Sequence, residues 1–146
     1  MKRDLLSIAD LTPADLEEIF SLAQGLKGDR QKGWPHPIMA GKTLAMIFEK
    51  PSLRTRVTFE AGMVQLGGYA IYLSPLDIGL GTRETVPDVA RNLSRWVDII
   101  MARTFFHQVI TELAQAATVP VINGLSDLLH PCQVLADCLT LIEHRG

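Results

Sequence analysis

Two cysteines in 146 residues, Cys132 and Cys138, leave little to staple a fold with. They lie six positions apart, with no second pair and no histidine at a ligand spacing. Neither a disulfide framework nor a metal site is expected, and reduced, buried or half-buried thiols suit the cytosol. An excess of basic residues is missing as well. Lys and Arg total 14 against 16 Asp and Glu, a net charge of −2, with no basic stripe or tail. That balance argues against nucleic acid as a partner, yet leaves room for a small anion, which needs only a local cluster. No apolar run approaches membrane-spanning length, and charges sit where a signal peptide needs an apolar core. The chain is therefore expected to be cytoplasmic, with no membrane partner. Repeats, low-complexity stretches and linkers are absent too. The glycines of Gly79-Leu80-Gly81-Thr82-Arg83-Glu84 match neither a P-loop nor a dinucleotide fingerprint, and the segment after the first strand lacks glycine altogether. Nucleotide binding is not expected, and no cofactor is indicated.

What remains is ordinary for an α/β domain: 47% hydrophobic and 21% charged residues. A chain of this length buries roughly 68–70% of its unfolded surface on folding. Thr12-Pro13-Ala14-Asp15 marks a helix start, with Thr as N-cap and Pro in the first turn. This helix runs through Leu16, Ile19, Phe20 and Ala23 and fades near Gly25 to Gly28. A loop spans 32–41. Then strands and helices alternate: strand 43–48, helix 54–66, strand 69–73, a loop over 74–83 and helix 86–96. Strand 99–102, helix 109–117, strand 119–122, loop 123–129 and helix 131–143 complete the pattern. Four short apolar strands separated by helices require crossover connections. The fold class is α/β, an open parallel four-stranded sheet with helices on both faces. The sequence reaches its last residue inside or just after a helix, which reads more like one domain (1–146) cut from a longer protein than a finished fold.

In open parallel sheets ligands bind beyond the carboxyl ends of the strands. The candidates there are Ser52, Arg54, Thr55 and Arg56; Asp77, Thr82, Arg83 and Glu84; Arg103 and Thr104; and Asn123, Asp127, His130 and Gln133. Phe48-Glu49-Lys50-Pro51-Ser52-Leu53-Arg54-Thr55-Arg56 joins a strand to a helix, and its hydroxyls and guanidiniums at a helix start suit phosphate oxygens. Arg54 and Arg56 lie about 200° apart around a helix, so one binds the anion while the other pairs with a residue such as Glu60. The competing reading is two solvated arginines and a plain Ser52 N-cap; Leu53 could contribute only its backbone N–H. Arg103, directly after a buried strand, implies a desolvated partner, against a salt bridge across the rim. His130 sits before Pro131 at a helix start that would favour neutral imidazole, with Gln133 one turn in; a capping or packed histidine competes. Cys132 has no base at a recognisable spacing, which argues against a nucleophile. His36, His107 and His144 read as isolated and solvent-facing, Trp34 and Trp96 as packing residues.

Three stretches taken together, FEKPSLRTRVTFEAGMVQLGG, GTRETVPDVARNLSRWVDIIMARTF and INGLSDLLHPCQVLADCLTL, resemble the aspartate/ornithine carbamoyltransferase family. The likeness runs over the whole chain in order and spacing. Lys50 and Cys132 resemble its ornithine branch more than its aspartate branch. The resemblance implies the N-terminal, carbamoyl-phosphate-binding domain of an enzyme that transfers a carbamoyl group to the δ-amine of L-ornithine, in arginine biosynthesis or its reverse. It further implies that Ser52, Leu53, Arg54 and Thr55 hold the phosphate and that Arg103, His130 and Gln133 bind the carbamoyl group, with Arg103, His130 and Thr55 catalytic. The family assembles as a homotrimer in which a loop residue reaches a neighbouring site. Gly79 stands at that position here, where relatives often carry Gln or His, and Leu53 stands where many have Thr. Ornithine would bind through a domain this sequence does not contain, so the chain alone is expected to bind carbamoyl phosphate weakly and turn over negligibly. The alternatives are another acceptor (putrescine, an acylated ornithine or aspartate) and a non-catalytic anion-binding module.

Overall fold

A computed structural model describes residues 2–145 of the chain. Its elements, in order, are α1 (Pro13–Gln31), β1 (Thr43–Phe48), α2 (Leu53–Gln65), β2 (Tyr69–Leu73), α3 (Pro75–Ile78), α4 (Val86–Leu93), β3 (Ile99–Arg103), α5 (His107–Ala116), β4 (Val121–Leu125) and α6 (Pro131–Arg145). All strand pairs are parallel, in the order β2-β1-β3-β4. The expected α/β class and four-stranded parallel sheet are what the structure shows.

Strand alternation divides the core in two. Ala45, Ile47, Ile100, Ala102 and Val121 face one side, under Val89 and Ala90 of α4 and Ile110 and Leu113 of α5. Leu44, Met46, Phe48 and Met101 face the other, against Met63 and Phe59 of α2. After β1 the chain crosses to β2 on one side, then returns to place β3 on β1's other flank. The order reverses at β1/β3, so the loops leaving these two strands diverge and open a crevice at their carboxyl ends.

Several boundaries differ from expectation, each for a physical reason. Helix α1 continues through Gly25 and Gly28 to Gln31, where Lys27 meets Glu143 of α6 at 2.6 Å; a helical glycine costs only about 1 kcal/mol. The stretch 74–83 is not all loop, because Asp77 accepts from the Ser74 N–H at 2.7 Å and nucleates α3. Strand β4 starts at Val121 and runs through Asn123 and Gly124 to Leu125. The N-terminal segment lies along it: Leu5 N–H donates to Val121, Asn123 N–H donates to Leu5, and Asp4 accepts from Val121 N–H. This pairing covers one sheet edge and holds Asn123, which is fully buried, away from the rim. Trp34 and Trp96 are 59% and 72% exposed, not core residues. Cys138 is exposed and only Cys132 is partly buried.

Helix α1 is fixed at its start by reciprocal bonds between Thr12 and Asp15, and Arg3 reaches Asp15 at 2.6 Å. The Arg3 hydrogen bond, with those from Thr12, holds the Asp15 carboxyl at about 2. A depressed carboxylate stabilises the fold above its unfolded value, near 4, and loses that contribution as pH falls toward its folded value. Urea midpoints measured across that window are expected to fall with pH, and Arg3→Ala to flatten the dependence. In the core, Ile100→Ala is expected to cost about 2–5 kcal/mol by the same measurement, since Ile100 is fully buried.

Candidate functional site: a cationic cleft at the β1/β3 crevice

Helix α2 opens with its positive end uncompensated. Ser52 caps it, its Oγ accepting from the Thr55 N–H at 3.3 Å and lying 3.0 Å from the Thr55 hydroxyl. The bond from Arg56 N–H to the Ser52 carbonyl comes one residue after that cap, leaving the N–H groups of Leu53 and Arg54 ahead of the regular ladder. Helices α1, α3 and α4 each carry an acid in the first turn, Asp15, Asp77 and Asp88. Helix α5 borrows one, the His107 N–H donating to Asp127 at 2.7 Å. Among the described residues, α2 and α6 begin with neither. Both open into the same cleft, where their N-termini favour an anion.

The cleft encloses about 480 Å³ and is lined by Ser52, Arg54 and Thr55 from α2, Arg103 from β3, and His130 and Gln133 at the start of α6. Arg103 is half-buried and its Nε is buried without a hydrogen-bond partner. Burial, then the neighbouring Arg54 guanidinium, lowers its pKa. Among the described residues neither arginine takes part in a salt bridge, so the rim ion pair that competed for Arg103 is not formed. The His130 Nδ1 is also buried and unpartnered. Burial, followed by the Arg103 charge, pushes its pKa down, with Asp137 opposing. Neutral imidazole can carry one N–H donor without adding a third cation. Gln133 anchors its amide on Asp137 at 2.9 Å.

Arg56 takes the structural role: it pairs with Glu60 at 3.0 Å and stacks over the Tyr72 ring at 3.9 Å. Leu53 does not line the cleft and its residue surface is 80% exposed. Gly79 is not brought to the cleft either. It ends α3 in the left-handed region at φ 56° and lines a separate hollow with Phe48, Glu49, Ser74 and Thr82. A Cβ there would sit 2.9 Å from the Arg83 Cβ. The segment after β2 therefore stands apart from the other strand ends. Cys132 lines the cleft, but burial pushes its thiol up to about 11, so it is no nucleophile at neutral pH. His107 is not isolated: its Nδ1 lies 3.0 Å from Ser126 Oγ, stitching α5 to the turn before His130. Sequence reasoning also missed Thr58 and Phe59 in the lining; Thr58 lies one helical turn beyond Arg54, a spacing that would have found it.

Residues 3–143 match the family model for the aspartate/ornithine carbamoyltransferase, carbamoyl-P binding domain. The chain belongs to this family. It is 56% identical over 146 residues to an ornithine carbamoyltransferase of Methanocorpusculum labreanum, covering all of this chain and 48% of that protein. The solved ornithine carbamoyltransferase of Pyrococcus furiosus superposes with a TM-score of 0.97 at 53% identity, over 99% of this chain and 46% of that one. A solved N-acetyl-L-ornithine transcarbamylase superposes at 0.89 with 35% identity, over 97% of this chain and 48% of that one. The chain thus spans about half the length of the curated relatives it matches. In this family member the field of Arg103 on His130 is directly measurable. Arg103→Met is expected to raise the His130 titration midpoint in an NMR pH series, and an unmoved midpoint would show that burial alone sets it.

Proposed function

We propose that the cleft binds carbamoyl phosphate and that the whole protein transfers its carbamoyl group to the δ-amine of L-ornithine, giving L-citrulline and phosphate. One observation carries the reading: two guanidiniums without carboxylate partners and two acid-free helix N-termini converge on one cleft beside a histidine whose pKa burial and Arg103 lower. A phosphate dianion supplies the missing charge. Residues 1–146 form the carbamoyl-phosphate-binding domain, and a second domain supplies the ornithine site. An assembly into homotrimers and a cytoplasmic place in arginine biosynthesis, or its reverse, fit the same reading.

In this mechanism Ser52, Arg54, Thr55 and the Leu53 N–H hold the phosphate. Arg103, His130 and the Thr55 hydroxyl donate to the carbamoyl carbonyl or to the oxygen bridging it to phosphorus, and Gln133 orients the carbamoyl amide. Ornithine's neutral amine attacks the carbonyl carbon and forms a C–N bond. The carbonyl oxygen becomes an oxyanion, the donors strengthen as that charge grows, and the C–O bond to phosphate then breaks. The amine's proton leaves with phosphate or solvent. No protein nucleophile takes part, in keeping with the protonated Cys132 thiol.

A second acceptor remains open because a donor domain does not choose its amine. The likeness to N-acetyl-L-ornithine transcarbamylase shows that one donor scaffold accompanies both names. Matches above 50% identity to ornithine carbamoyltransferases favour ornithine.

Calorimetry on the chain is expected to show carbamoyl phosphate binding tighter than inorganic phosphate. Arg103→Ala and His130→Ala should each reduce that preference, and Arg54→Ala should weaken both ligands. Loss of one charge-assisted bond is worth about 1.5–3 kcal/mol, roughly a 10- to 150-fold loss of affinity. Equal affinities unaffected by either Arg103→Ala or His130→Ala would leave only a general anion site.

A further inference from the structure

Glu49 follows β1 by one residue and faces the chain leaving β3. Its own N–H donates to the Arg103 carbonyl at 2.8 Å, and its carboxylate Oε2 accepts from the Phe105 N–H at 2.7 Å. The β1–β3 register pairs Phe48 with Arg103, so the next rung belongs to Glu49 and Thr104. In a regular parallel ladder that rung is made by the N–H of residue 49 to the carbonyl of 103 and the N–H of 105 to the carbonyl of 49. The first bond is regular. The second goes to the side chain.

We infer that Glu49 is a positioning residue whose carboxylate takes the place of its own backbone carbonyl in the β1–β3 ladder, fixing Arg103 against the phosphate cradle of α2. The substitution frees the main chain to leave the sheet immediately after Phe48. It bends at Glu49 and Lys50 and reaches the Ser52 cap three residues later. The strand end carrying Arg103 nevertheless keeps both hydrogen bonds to the departing segment. Arg103 needs this hold on the β1 side, because its pairing with β4 shifts register between Ala102 and Arg103. Glu49 does not itself line the cleft; its hydrogen bonds go to the backbone of residues 103 and 105.

The functional consequence rests on the carbamoyl phosphate reading, whereas the ladder role is tested without a ligand. Amide exchange by NMR on the whole chain is expected to show Phe105 exchanging at least about tenfold faster in Glu49→Ala, with shifts spreading to Ser52–Thr55 and Arg103. Glu49→Gln keeps a carbonyl acceptor and should restore the Phe105 protection. In calorimetry Glu49→Ala should weaken carbamoyl phosphate by about tenfold and inorganic phosphate by less, with Glu49→Gln within about threefold of the parent. Unchanged Phe105 exchange in Glu49→Ala overturns the ladder role. A Glu49→Gln protein as impaired as Glu49→Ala overturns it too, since charge and not acceptor geometry would then matter. Carbamoyl phosphate affinity unchanged in Glu49→Ala overturns the positioning of Arg103. If the parent chain binds neither ligand, the function reading falls while the exchange result still decides Glu49.

Discussion

The parallel pairing of β1 with β3 is the constraint from which the rest follows. Because β2 lies on the opposite flank of β1, the connections leaving β1 and β3 diverge and cannot close over the strand ends between them. That gap is where α2 begins and where Arg103 leaves the sheet. Burial of Leu44–Phe48 on β1 and Ile100–Ala102 on β3 makes the pairing rigid. Groups fixed at these strand ends inherit the rigidity of the core, as a preorganised site needs.

The arrangement carries an electrostatic cost that the fold does not relieve internally. Acids complete the first turns of α1, α3 and α4, and Asp127 completes α5 from a distant loop. Such carboxylates stabilise helix starts at little expense. Leaving α2 and α6 without them, and placing Arg54 near a half-buried Arg103, spends stability where an acid would have been the simpler choice. Buried unpartnered nitrogens on Arg103 and His130 add to the deficit. A cluster of this kind at the geometric ligand position of the sheet is what supports the proposed anion site.

Much of this was legible in the chain, and the misses share a cause. Strand 43–48 shows as a continuous apolar run because both faces of the sheet are covered there, whereas 69–73 leaves Tyr69 and Ile71 exposed; β1 and β2 both match to the residue. The Arg56–Glu60 pair was readable from four-residue spacing. By contrast, Asn123 looks like a loop residue, and its place within β4 depends on Asp4 and Leu5 from the other end of the sequence. Asp127 capping α5, and Glu49 completing a ladder rung with its side chain, are likewise contacts between segments about twenty or more residues apart. Local pattern reports periodicity and caps, and is silent on which distant backbone group a carboxylate will reach. Gly79 is a different case: resemblance places it at a neighbouring subunit's site, and within this chain the turn that ends α3 sets it in a hollow apart from the cleft.

The division of labour in the cleft follows from the same electrostatics. With Arg103 and Arg54 already charged, protonating His130 would add a third cation in a half-buried space, and the Arg103 field opposes it. The neutral imidazole keeps a single N–H with which to donate a hydrogen bond. On the proposed reading a bound phosphate dianion would offset that field and draw the His130 pKa upward, and by linkage a proton on His130 would tighten the anion in return. On that reading His130 would hold a second proton more firmly with the donor in place than without it. Arg103 would enter both sides of this coupling, so on the proposed reading its position, held from β1 by the Glu49 N–H, matters as well as its charge.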